Sequence, residues 1–155
     1  MEMKLQVNVY KGLPLLLDKI KVVALAAVTG KADSWMLMKL RHSVVKGRTL
    51  EFVQSDLDLI NASMPVLGEE ILQSLVVYDT DREKVIPQVR ELARLVSMQY
   101  ICMDVMGNKK RWYDGRMAKR TAEGKASSFK EDDIIQINMA AMNIANELKS
   151  IEFTL

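Results

Sequence analysis

Between Leu92 and Gly107 only Arg94, Ser97, Gln99 and Asp104 interrupt a run of Ala, Leu, Val, Met, Tyr, Ile and Cys. A helix apolar on nearly every side has to be surrounded by other helices. The spacing therefore predicts one central helix over 80–106. Thr80 and Glu83 open it as a capping box, each side chain satisfying the other residue's free amide. Pro87 removes one hydrogen bond and should kink it, and Gly107 offers the left-handed residue that ends helices.

The rest of the chain supplies the surrounding elements. Pro14 suits a first helical turn, and Leu13, Leu16, Leu17, Ile20, Val23, Ala24 and Ala27 share a face that Gly30 closes. Asp33 or Ser34 caps a second helix with Leu37, Leu40 and Val44 inward and Gly47 as its stop. Thr49 opens a third, carrying Leu50, Val53, Leu57 and Ile60, although 49–53 also reads as a strand. Pro65 begins a fourth with Leu67, Ile71, Leu75 and Tyr78. The last helix follows a Ser128/Glu131 capping box, and Ile134, Ile137, Ala141, Ile144, Leu148 and Ile151 repeat at three and four. That seam is either a core stripe or a self-association face over 134–151. Leu5, Val7 and Val9 alternate with polar neighbours, as do Ile151, Phe153 and Leu155, so short strands at the two termini can pair.

The fold class read from this pattern is mainly α: a single helical domain over 1–155, of five or six helices around the central one, with a basic loop insertion at 107–127. Three Pro and seven Gly in 155 residues favour helices over a sandwich or barrel. The longest uncharged apolar run of the first helix, 22–28, is far short of the roughly 20 residues of a membrane span. Met1-Glu2-Met3-Lys4 does not read as a signal peptide. The lone Cys102 excludes an internal disulfide framework and fits a reducing, cytoplasmic setting.

Function is concentrated in one segment. Residues 107–126 carry seven basic and two acidic side chains, a local +5, while the remainder holds 15 basic and 18 acidic residues, a net of −3. Lys109, Lys110, Arg111, Arg116, Lys119, Arg120 and Lys125 supply the charge, and Trp112 and Tyr113 sit among them. Cations attract a phosphate backbone and aromatic faces stack on bases, which is how single-stranded nucleic acid is held without sequence reading. Asp114-Gly115 either forms a turn or begins a short helix ending at Gly124. The competing readings are an acidic protein partner, and a solvated loop with Trp112 folded onto the core. Lys39, Arg41, His42, Lys46 and Arg48 form a second basic set that would extend a groove if the fold brought it alongside.

No catalytic signature accompanies this. His42 is the only histidine, Cys102 lies in the most apolar stretch, and no phosphate-binding or dinucleotide loop is present. The acidic pairs Asp56/Asp58, Glu69/Glu70, Asp79/Asp81 and Asp132/Asp133 lack the inward Glu-x-x-Glu or Glu-x-x-His spacing of a helical metal site, and capping explains most of them. The expectation is therefore a non-enzymatic nucleic-acid binder, single strands favoured, with no cofactor and no metal. The alternative is a protein-interaction module acting through a helical face.

Overall fold

Two helices of 20 residues, α4 (Gln54–Gln73) and α7 (Glu131–Ser150), form the frame of the structure, a computed structural model that describes residues 3–118 and 127–155. They run antiparallel: Asn61 meets Phe153, Gly68 meets Ala145 and Val76 meets Asn138. Leu57, Ile60, Met64, Leu67 and Ile71 interlock with Ile134, Ile137, Ala141, Ile144 and Leu148, and none of the ten is more than 2% exposed. The three-four rhythm of 134–148 is thus a core stripe. Self-association through that face is ruled out, because α4 already occupies it.

Around this pair lie α1 (Val9–Leu17), α2 (Val22–Thr29), α3 (Asp33–Leu40), α5 (Arg82–Leu92), a π-helix (Tyr100–Val105) and α6 (Lys110–Met117). Strand β1 (Leu5–Asn8) pairs in parallel with β4 (Ile151–Thr154), Leu5 opposite Ile151, so the termini do meet. A hairpin, β2 (Val44–Val45) and β3 (Arg48–Thr49), completes the chain. The class is mainly α in one domain with a single connected core. Among the described residues there are eight helices rather than five or six: two predicted helices are each split, two others fuse, and the predicted loop holds one more.

One contact accounts for both splits. Lys21 N–H donates to Leu95 O (3.0 Å) and Ser97 N–H donates to Lys19 O (2.8 Å), with Ile20 and Val96 bridged between them. Backbone groups left over where α1 and α5 end are satisfied across this short bridge, and both apolar side chains are buried. The helix expected over 80–106 is therefore two elements, and the α4–α7 pair is the centre instead. At its start Asp81, not Thr80, is the cap, accepting from Glu83 N–H at 3.0 Å.

The third and fourth predicted helices fuse in the opposite sense. Pro65 inside α4 costs about 3 kcal/mol for its missing donor and ring clash. Burying each large apolar side chain on that face returns roughly 1.5–3 kcal/mol, so the continuous helix wins. The second predicted helix stops at Leu40, and Val44 is exposed on β2. Lys46 (φ 51°) and Gly47 (φ 77°) form the turn of the hairpin, a type I′ pattern, instead of a helix stop. The cap of α7 also shifts, to Lys130, whose N–H donates to Asp133 (2.8 Å).

Candidate nucleic-acid interface

The π-helix and α6 build the site. Ser97 caps the segment, accepting Tyr100 N–H on its hydroxyl (3.2 Å), and the helix then widens through Cys102 and Met103. Gly107 (φ 76°) ends it in the left-handed conformation that glycine adopts without a Cβ penalty. The chain reverses into α6, where Lys109 is the N-cap and no side chain caps the first turn. The predicted loop is thus helical over Lys110–Met117, and Asp114-Gly115 lies within that helix instead of at a turn.

The predicted site residues divide by what they touch. Lys109, Lys110 and Arg111 are exposed. Trp112 and Tyr113 pack on the core, their ring centroids 5.8 and 6.5 Å from Phe129. Arg116 lies over the Trp112 ring at 4.2 Å, donates to Trp112 O at 3.3 Å and places its Nε 3.8 Å from the Asp133 carboxylate. Trp112 therefore has one face covered by Arg116 and an edge-type contact with Phe129, so it is not the freely exposed stacking ring expected, and Arg116 is held by the protein itself. Lys119, Arg120 and Lys125 lie outside the described residues.

Arg82 closes this corner from α5. Its guanidinium donates to Arg116 O (2.7 Å), Ala118 O and Ser127 O (3.0 Å), tying the two flanks of residues 119–126 together. Only 13% of its side chain is exposed. Sequence reading passed over it because its i, i+3 neighbourhood resembled an ordinary helix start.

Behind α6 opens a cavity of about 190 Å³ whose lining includes Lys21, Lys110, Cys102 and Tyr113. Burial pushes the Cys102 thiol up to about 12, with Asp133 adding to it and Arg116 opposing. Burial likewise pushes the Tyr113 phenol up to about 12, with Cys102 and Asp114 adding and the charge of Arg90 opposing. Lys21 and Lys110 share the lining of this cavity, Arg90 lies near enough to Tyr113 for its charge to act there, and Lys109 and Arg111 flank Lys110 along the chain. Among the described residues none of the five has a carboxylate within 4.0 Å. Lys21 and Arg90 were missed because they come from the α1–α2 junction and from α5, and only the fold brings them here.

The second basic set lies elsewhere. Lys39 pairs with Asp56 (2.6 Å) at the start of α4, and His42 stacks on Tyr10 at 4.6 Å. The start of α4 lies beside the end of α7, whereas Phe129 and Asp133 mark the beginning of α7. The second basic set therefore lies toward the opposite end of the α4–α7 pair from Phe129 and Asp133, not beside α6.

Among the described residues no group of three His, Cys, Asp or Glu is placed to hold a metal ion. Nor is any described helix long and apolar enough to cross a membrane. Comparison with protein-family models, curated proteins and solved structures finds no match to this chain.

Proposed function

We propose that the protein is a small non-enzymatic nucleic-acid binder that grips a single-stranded phosphate backbone on the face around the start of α6. The observation that carries this reading is the convergence of Lys21, Arg90, Lys109, Lys110 and Arg111, from three separate parts of the chain, without acidic partners among the described residues. Unpaired cations on one face are the electrostatic footprint of a polyanion site. The open first turn of α6 adds backbone N–H groups and the positive end of a helix dipole to the same place.

The test is binding of labelled single- and double-stranded oligonucleotides across a salt series. For a single strand the logarithm of affinity falls with log salt by about 0.7 per phosphate neutralised. Lys109→Ser/Lys110→Ser/Arg111→Ser should weaken binding at every salt concentration and flatten that slope by about 2. No binding of the parent protein at low salt would end the proposal.

A second reading, a protein-interaction module, is favoured by one feature. An open groove of about 580 Å³ runs between α2 and the ends of α4 and α5. Val23, 63% exposed, stands on one wall, with Glu70 on the lining and Glu91 paired to Arg94 (3.3 Å) beside it. An amphipathic helix with basic flanks suits that groove. A partner recovered in pull-down that survives nuclease treatment and is lost in Val23→Glu would support it.

A further inference from the structure

The cavity behind α6 is too small for a drug-sized ligand, for which sites run about 300–1,000 Å³, and charged and polar side chains (Lys21, Lys110, Asp114 and Gln99) stand among its lining. Its walls are soft and apolar: Met98, Cys102 and Met103 from the π-helix region and Tyr113 from α6. Lys21 and Lys110 stand on its lining as exposed cations, while Asp114 and Gln99 are its exposed hydrogen-bonding groups. π-helical turns occur frequently at functional sites, and here the widened turn supplies part of the cavity wall.

We infer that this cavity receives one unstacked base of the bound strand, with the flanking phosphate on Lys21 and Lys110 and the base edge read by Asp114 and Gln99. The inference rests on the nucleic-acid reading above and adds where a base goes and which bases are preferred. Thioether and thiol sulfur and a phenol ring suit the flat, polarisable face of a base. An ionised carboxylate only accepts hydrogen bonds, so Asp114 favours bases with an exocyclic amino group, such as cytosine and adenine, over thymine, whose exocyclic polar groups are both carbonyl oxygens. Gln99 both donates and accepts, so it satisfies the neighbouring ring position of either base.

The experiment compares ten-residue homopolymers of dC, dA and dT, bound to the full chain at one low salt concentration. The expected result is dC and dA about tenfold tighter than dT, the worth of one charge-assisted hydrogen bond. Asp114→Asn, which both donates and accepts, should bring dT level with dC without abolishing binding. Ala93→Phe fills the cavity from the end of α5, leaves all five cations in place, and should weaken dC and dA to the level of dT. If Ala93→Phe does not fold, the Asp114→Asn ratio decides alone. Equal affinities for the three homopolymers, with the salt-dependent binding and its loss in the triple variant intact, would overturn the cavity and leave the phosphate face standing. No binding of any homopolymer would remove both.

Discussion

Gly68 on α4 faces the backbone carbonyl of Ala145 on α7, and a Cβ at residue 68 would stand 2.9 Å from that oxygen. Leu148 and Lys149 crowd the same point at 3.5 and 3.4 Å. The two frame helices approach this closely because one of them lacks a side chain there. Gly68→Ala gains about 1 kcal/mol of helix propensity, but it forces apart helices whose interlocked faces are fully buried, an overpacking cost of about 1–3 kcal/mol. The expected net is a loss of about 1 kcal/mol and a Tm lower by about 2–4 °C. Thermal and urea denaturation check it; a stabilised variant would mean that the helices separate without loss.

Asn61 should be the residue on which the terminal sheet depends. Two strands alone make a marginal sheet, yet Asn61 brackets Phe153, donating to its carbonyl (3.0 Å) and accepting its N–H (2.7 Å). Asn61→Ala leaves both backbone groups half-buried and unpaired, costing about 2–3 kcal/mol. Amide exchange should show Leu5–Asn8 and Ile151–Thr154 losing protection while the centres of α4 and α7 keep theirs. Uniform loss across the chain would instead make the sheet part of the global unfolding unit.

Arg82 carries a more local burden. One planar guanidinium serves carbonyls from Arg116, Ala118 and Ser127, which a lysine ammonium does not reproduce in that geometry. Arg82→Lys should loosen α6 by about 1.5–3 kcal/mol, the range for hydrogen bonds to a charged group. In a Trp35→Phe background Trp112 becomes the only tryptophan, and its emission should shift to the red as it leaves Phe129. Unchanged emission would show that Trp112 is held by Phe129 and Arg116 alone.

How much of this was legible beforehand follows from what each signal depends on. The α7 stripe was readable because its burial is set by one continuous face. The pairing of the termini was readable because alternation survives even in four residues. The course of 80–106 was not: hydrophobicity marked 93–106 as buried, but the break depends on Leu95 and Ser97 bonding to Lys19 and Lys21, some 75 residues earlier. A long-range backbone pairing leaves no periodic trace. Pro65 misled for a related reason, since its local cost is outweighed by tertiary burial. At the site, the cations of 109–111 were visible as a charge run, whereas Lys21 and Arg90 join them only in three dimensions. The weighed alternative that Trp112 folds onto the core describes where it sits.

Alkaline pH should expose the buried thiol and phenol behind α6. The Cys102 thiol is pushed from its ordinary 9.0 to about 12, chiefly by burial, and the Tyr113 phenol from 10.0 to about 12 for the same first reason. Both groups hold their proton longer in the folded chain than in the unfolded one. Their contribution is therefore complete below pH 9 and is lost as pH rises toward 12, because above 9 the unfolded chain binds fewer protons. Lys19, raised by its hydrogen bond to Glu147 despite partial desolvation, adds a loss of the same sign, but only above its ordinary 10.5. Between pH 9 and 10 the thiol is then the main shifted group in play, and the slope approaches 1.4 kcal/mol per pH unit, roughly the limit for one proton. Urea unfolding at pH 8, 9 and 10 should show stability falling across the last interval in the parent chain and nearly level in Cys102→Ala. Equal slopes in the two proteins would mean that Cys102 ionises as freely folded as unfolded, and that the cavity beside it is wetter than its lining implies.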